Sequence, residues 1–308
     1  MRRAFNDTLL KLASGNDRVI FLTGDLGFQV FDEFRQRFGP RYVNVGVAEA
    51  QLMCAAAGLA IEGWRPLAYS IASFATARPY EQIRISIGYP RLPVVIVGAG
   101  GGYTYSNSGV THQSPDDLGL MSLIPGMTVV APGCPDELCQ LMPQLFTLLG
   151  PSYLRIGRFG EANYRADDPA VLGRIRLLRS GERIAVIATG DIAPVVLEAV
   201  DRLNREGITP LMYQCHTVKP IDESRLDELA GRVRTIIIVE EHLPTGGLFS
   251  AVAGWRAGRA SGPDLVRLGP PDAFMLGNPD RDELRRRIGC NAETIYAVCL
   301  RLWEQGKT

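Results

Sequence analysis

Runs of consecutive apolar, often β-branched, residues recur along the chain and alternate with longer stretches of mixed polarity at helical spacing. RVIFLTG, YVNVGV, RPLAYSI, PVVIVGAG, MTVVAPG and SYLRIGR follow one another through the first half, separated by stretches such as Glu49 to Ile61 and Asp136 to Leu149. A strand that stays apolar at every position is buried on both faces, and strands alternating with helices predict a parallel sheet covered on each side. The alternation lapses over EANYRADDPAVLGRIRLLRSGER, from Glu161 to Arg183, and restarts with IAVIATG, PLMYQC, RTIIIVEE and DLVRLG. Helical spacing in this second part predicts helices at about Ala193 to Glu206, Glu223 to Arg232, Gly247 to Gly258 and Asp282 to Leu302. The expected fold is therefore α/β, with mainly parallel sheets flanked by helices in two domains. They span residues 1–165 and 182–308, with a linker over 166–181.

Composition narrows the partners. The 308 residues are 46% hydrophobic, enough for two sizeable cores, and 33 basic residues balance 33 acidic ones with no long run of one sign. Neither nucleic acid nor an anionic membrane surface is an expected partner. No segment reaches the roughly 18 apolar residues of a membrane span. The N-terminal MRRAFNDTLLKLASGNDRVIF lacks the apolar centre of a signal peptide, so a cytoplasmic protein is expected. Six cysteines without a CxxC, beside only three histidines, predict reduced structural thiols and no zinc-ligand spacing.

Glu49 is the first candidate for chemistry. It is the only charged residue within YVNVGVAEAQLMCAAA, where a strand hands over to a helix with hardly a polar face. A carboxylate in a first helical turn is favoured by the helix dipole and needs no function. Yet a helix apolar all round predicts burial all round, and a buried carboxylate without a partner is costly unless it keeps a proton with a raised pKa. The glycines of VVIVGAGGGYTYSNSGVTHQSPDD stand at 98, 100, 101 and 102, and Tyr103 occupies the place of the last glycine of a dinucleotide fingerprint. A polar, turn-rich segment follows where that motif requires a helix, so the dinucleotide reading is rejected. A long loop of this kind at a strand end is instead a candidate substrate loop, and His112 lies in it. Phe74, Arg78 and Tyr80 open an amphipathic helix with core packing as its default role. Arg155 and Arg158, three apart at a strand end, suit an anion or a surface ion pair. No GxSxG, HExxH, P-loop or metal-binding carboxylate cluster is present.

Six segments in order resemble the pyrimidine-binding and C-terminal domains of the transketolase family, which includes 1-deoxyxylulose-5-phosphate synthase. They are TGDLG (23–27), NVGVAEAQLMCAAAGLAIEG (44–63), SFATARPYEQIR (73–84), GVTHQSPDD (109–117), IPGMTVVAPGCPDE (124–137) and LRIGR (154–158). TVKPID and VEEHLPTGGLFSAV extend the match through the second domain. The resemblance implies thiamine diphosphate as cofactor, with Glu49 hydrogen-bonding N1′ of the aminopyrimidine and Phe74 packing on that ring. Asp25 and Tyr80 fall near the cofactor, His112 faces the substrate hydroxyls, and Arg2 and Arg158 match phosphate-binding arginines. Ser108 stands where transketolases usually carry an aspartate that reads sugar stereochemistry, and Ala77 stands near a usual aromatic contact.

Full-length members hold Mg²⁺ through a GDG motif and a later asparagine in a diphosphate-binding domain, and no comparable segment occurs here. The resemblance thus implies the second subunit of a split transketolase, moving a two-carbon ketol unit from a sugar or sugar phosphate. The Mg²⁺ ligands would lie on a diphosphate-binding partner, and two copies of each chain would form a heterotetramer around a homodimeric core. The rival readings are the β subunit of a 2-oxo acid dehydrogenase, over which THQ, GGLFSAV and the two phosphate-type arginines favour transketolase, and a non-catalytic scaffold subunit.

Overall fold

A computed structural model of the chain describes residues 1–158 and 160–305. Six parallel strands build the first sheet: β1 (Val19–Thr23), β2 (Tyr42–Asn44), β3 (Arg65–Ile71), β4 (Val95–Ala99), β5 (Thr128–Val130) and β6 (Ser152–Ile156), in the spatial order β5-β6-β4-β3-β1-β2. Between them run α1 (Arg2–Gly15), α2 (Asp32–Phe38), α3 (Glu49–Ile61), α4 (Ala72–Thr76), α5 (Tyr80–Gln82), α6 (Asp117–Ser122) and α7 (Pro135–Leu145). The unbroken apolar strands are explained by two separate cores. Val19, Phe21, Leu67, Tyr69, Val95 and Val97 meet Phe5 and Leu9 of α1 and Leu138 and Leu141 of α7 on one face. Their neighbours Ile20, Leu22, Ala68 and Ile96 meet Leu52, Met53 and Ala56 of α3 on the other.

The second sheet holds β7 (Arg176–Arg179), β8 (Arg183–Ala188), β9 (Leu211–Gln214), β11 (Val233–Val239) and β12 (Asp264–Leu268), in the order β12-β11-β8-β9-β7. It is covered by α8 (Ala193–Arg205), α9 (Glu223–Ala230), α10 (Leu248–Ala257), α11 (Arg281–Arg287) and α12 (Ala292–Glu304). One strand of this half crosses over: β10 (Thr217–Lys219) pairs antiparallel with β5 and becomes the seventh strand of the first sheet. The His216 carbonyl accepts the Ala131 N–H at 2.7 Å, and Lys219 Nζ donates to the Ser122 and Ile124 carbonyls, both at 2.7 Å. The two halves are thereby joined through backbone.

Four local expectations change. The segment expected as linker contains β7, which lies antiparallel on β9 as the sheet edge. The helix expected over 282–302 is two helices, broken where Gly289 takes φ +71°. The region from Phe74 to Tyr80 is divided between α4 and α5 and continues as a π-turn over Ile83–Gly88. Finally, α3 is not buried all round, because its own chain covers one side only; Ala50, Gln51, Cys54, Gly58 and Ile61 are exposed. All six cysteines are free thiols, and no helix among the described residues is long and apolar enough to cross a membrane.

Candidate active site at the carboxyl ends of the first sheet

The predicted residues sit on different segments that leave the same edge of one parallel sheet. Asp25 follows β1, Glu49 follows β2, Phe74 follows β3, His112 lies in the long segment after β4, and Arg158 follows β6. The crevice beyond the carboxyl ends of parallel strands is where open α/β sheets bind ligands, because successive loops converge there.

Glu49 begins α3 and is 5% exposed. Its partner is Arg78, whose Nη1 donates to Oε2 at 3.2 Å while the arginine side chain stays 53% exposed. The same guanidinium lies 4.0 Å from the centre of the Phe74 ring. Phe74 in turn meets the His112 imidazole edge-on, with centroids 5.2 Å apart. His112 also faces Tyr105 at 5.7 Å, and the Arg158 guanidinium lies 4.3 Å from the Tyr105 ring centre. Glu49, Arg78, Phe74, His112, Tyr105 and Arg158 therefore form one continuous line of contacts.

Two members of that line escape sequence reading. Arg78 was visible only as part of a helix start, and its ion pair replaces the unpartnered carboxylate expected at Glu49. Tyr105 gave no signal in a polar loop. Its trace is Gly100, which has φ +73° and whose Cβ would stand 2.1 Å from the Tyr105 ring.

His112 is half-buried and presents its ring nitrogens unequally. Nδ1 is 2.9 Å from Thr111 Oγ1, and Nε2 makes no hydrogen bond among the described residues. Where Thr111 gives its hydroxyl hydrogen to the Ser108 carbonyl, 3.5 Å away, Nδ1 carries the imidazole proton and Nε2 is left as an acceptor.

Arg2 joins Arg158 on a cavity of about 600 Å³ also lined by Asn6, Gln29 and Glu33. Burial pushes the Tyr69 phenol up, against the pull of Arg2, which hydrogen-bonds it, and of Arg158. Both arginines thus stand near one buried hydroxyl, beside the end of the line that begins at Glu49. Arg155 has a different fate: it is buried and pairs with Asp117, with Nε to Oδ2 at 2.9 Å, so it is neither a surface ion pair nor open to an anion.

The remaining candidates do not join the line. Asp25 takes φ 60° and is bound reciprocally to Asn44, its N–H donating to Oδ1 at 3.0 Å and its Oδ1 accepting from Nδ2 at 2.8 Å. Asn44 Oδ1 accepts the Gly46 N–H as well, at 2.9 Å, so this pair shapes the approach to Glu49. Tyr80 packs against the core cluster that includes Leu52 and Met53. Ser108 is exposed, and its backbone N–H donates to the Tyr105 carbonyl at 3.0 Å.

A flat, hydrogen-bonding group fits between Glu49 and Phe74, since the planar guanidinium of Arg78 makes both contacts at once. Among the described residues no group of three or more His, Cys, Asp or Glu is arranged to hold a metal ion.

The sequence matches the family model of the transketolase pyrimidine binding domain over residues 1–159 and that of the transketolase C-terminal domain over residues 173–295. The chain belongs to the transketolase family. A 6-deoxy-6-sulfo-D-fructose transketolase subunit from Clostridium sp. (strain MSTE9) is 34% identical over 308 residues, covering 99% of this chain and 95% of its own length. An apulose-4-phosphate transketolase subunit from Actinobacillus succinogenes (strain ATCC 55618 / DSM 22257 / CCUG 43843 / 130Z) is 31% identical, covering 87% of each chain. Among solved structures, a split gene transketolase described as an inactive beta4 tetramer superposes with a TM-score of 0.89, at 31% identity, over 98% of both chains.

Proposed function

We propose that this chain is the pyrimidine-binding subunit of a split, thiamine diphosphate-dependent transketolase. It transfers a two-carbon ketol unit to an aldehyde acceptor from a ketose that carries a terminal phosphate or sulfonate. The observation that carries this reading is the line from Glu49 through Phe74 and His112 to Arg158, which sets an acid, an aromatic face, a histidine and a cation in sequence. The names of the two relatives, one a sulfosugar and one a sugar phosphate transketolase subunit, agree with a tetrahedral oxyanion at the arginine end.

Thiamine diphosphate, when bound, supplies the nucleophilic carbon and the electron sink of the reaction. Glu49 holds and shares a proton with a ring nitrogen of the pyrimidine, a task suited to a carboxyl out of water. Phe74 offers its face to the same ring. Arg78 now makes both contacts, so a pyrimidine that takes them displaces it. His112, through Nε2, accepts and returns protons at the sugar hydroxyls. Arg158 and Arg2 fix the distant anionic end by charge-assisted hydrogen bonds, which orient the carbonyl for attack.

The diphosphate and Mg²⁺ would be held by a separate diphosphate-binding subunit, in an assembly with two copies of each chain. Support for a separate partner comes from the relatives of nearly equal length whose names call them subunits. The test is ketol transfer with thiamine diphosphate and Mg²⁺, using this chain alone and then mixed with a diphosphate-binding transketolase subunit from the same genome. Donors would include xylulose 5-phosphate and 6-deoxy-6-sulfo-D-fructose. Transfer only in the mixture is the expected result; transfer by this chain alone, or by neither with any of these donors, would reject the reading.

A further inference from the structure

The segment Val239–Leu243, within VEEHLPTGGLFSAV, has no part in the chemistry above, yet three consecutive residues of it bind the long loop after β4 or helix α6, which follows it. Glu241 Oε2 accepts the Tyr103 N–H at 3.1 Å, His242 Nε2 accepts the Gly119 N–H at 3.0 Å, and the Leu243 N–H donates to the Pro115 carbonyl at 2.8 Å. The base of the loop is pinched shut by Gly102 and Ser114, which exchange two backbone hydrogen bonds of 2.9 and 2.8 Å. Everything between them, including Tyr105, Ser108 and His112, hangs from that pinch. Gly102 takes φ +59°, and a Cβ there would stand 2.9 Å from the Glu241 Cβ and 3.0 Å from its Oε2, so the side chain leaves no room for one at the loop base.

Glu241 is itself held rigidly. Arg281 Nη2 donates to Oε2 at 2.8 Å and Arg285 Nε to Oε1 at 2.6 Å. Arg281 also grips Asp191 with two bonds of 2.9 and 2.7 Å, tying α11 to the turn before α8. The carboxylate is 3% exposed, so this network is desolvated and its geometry is narrowly defined. Tyr103 is itself 1% exposed within the core of the second domain, so the same residue is fixed by packing and by its N–H to Glu241.

We propose that Glu241 is a positioning residue: by holding Tyr103 at the mouth of the loop, the C-terminal domain sets where His112 stands against Phe74. The consequence for turnover rests on the function proposed above; the anchoring does not. It also gives the second domain a task in the reaction, although it supplies none of the side chains in the line from Glu49 to Arg158.

The test is Glu241→Gln, which keeps an oxygen for the Tyr103 N–H but removes the charge that orders the two arginines, with Asp201→Asn as a control. Asp201 pairs with Arg179 on the outer part of the same domain, at 2.6 and 2.9 Å. Amide hydrogen exchange on the isolated chain should become roughly tenfold faster in peptides covering 103–114, rise also in α11, which carries the two arginines, and stay unchanged elsewhere. In the assembled enzyme kcat should fall by about 10²-fold, with the dissociation constant of thiamine diphosphate within about twofold of wild type, since Glu49 and Phe74 are not on the loop. Unchanged exchange at 103–114, faster exchange across both domains, or a loosened loop with unaltered kcat and KM would each overturn the proposal. A wild-type assembly without transfer activity would count against the proposed function, and the exchange pattern alone would then decide the anchoring.

Discussion

Glu49 and Glu241 are buried to nearly the same degree, 5% and 3% exposed, and their surroundings are opposite. Glu241 receives N–H donors from Tyr103, Arg281 and Arg285. Burial alone would push its carboxyl up; the two arginines outweigh this and hold it well below the usual carboxylate range. Among the described residues Glu49 has one partner, at 3.2 Å, on an arginine that is half in water. A carboxylate whose oxygens are saturated by rigid groups of its own chain belongs to the frame. One neutralised by a single solvated side chain is available to a ligand, because its partner returns to water at small cost. Burial does not separate the two roles, whereas the completeness and mobility of the hydrogen-bond shell does.

Breaking each carboxylate sharpens the contrast. Glu49→Gln should lower ketol transfer by about 10³-fold or more, in line with the loss of a group handling a proton in the reaction, while the thermal midpoint changes little because Arg78 is already solvated. Steady-state kinetics and calorimetric melting on one preparation check both halves. Glu241→Ala should in addition destabilise the fold, removing about 3 kcal/mol of stability because Arg285 loses its counter-ion and Arg281 keeps only Asp191; denaturant titration measures this. Between these lies the anion site, where Arg158→Ala should raise KM for a phosphorylated donor by roughly tenfold or more, as expected for a lost charge-assisted hydrogen bond. A neutral ketose should be unaffected, and the ratio of the two KM values is the readout.

The smallest effect is in the pH dependence of the frame. Burial, reinforced by Arg155, lowers the His242 pKa from 6.5 to about 4. Its Nε2 accepts the Gly119 N–H and its Nδ1 lies 2.9 Å from the Leu243 carbonyl, an arrangement that the doubly protonated ring cannot keep. A depressed folded-state pKa means that the stabilising contribution is full above pH 6.5 and is lost as pH falls towards 4. Burial lowers His216 to about 4 as well, and raises Glu240 from 4.5 to about 7, which acts in the other direction between those values. Comparison of wild type with His242→Gln removes these shared contributions. The stability of the variant should depend less steeply on pH between 6.5 and 4, by at most one proton, or about 1.4 kcal/mol per pH unit.

Much of this frame was legible in the amino-acid pattern. The unbroken apolar runs announced strands buried on both faces, and each proved to divide its residues between two cores. Glu49, Phe74 and His112 were legible one by one, as an isolated charge, an aromatic and a loop histidine within family-like segments. Their joining was not, because Arg78 bridges Glu49 to Phe74 and Tyr105 carries the line on from His112 to Arg158, and these positions depend on how separate strand ends converge. β10 was missed because three residues are too short for any periodicity, and β7 because RLLR is hidden among charges. The break at Gly289 lies inside a stretch whose apolar spacing continues on both sides. The exposed side of α3 was unreadable for another reason: apolar composition predicts burial but does not reveal how much cover the chain itself provides.

The most direct test of the central claim is calorimetric titration of thiamine diphosphate, in the presence of Mg²⁺, into this chain mixed with the diphosphate-binding subunit. The account predicts one cofactor for each copy of this chain and a weakening by roughly tenfold for Phe74→Ala, the scale of a lost aromatic stack. Binding of the same strength and stoichiometry with the diphosphate-binding subunit alone, or with Phe74→Ala in place of wild type, would contradict it.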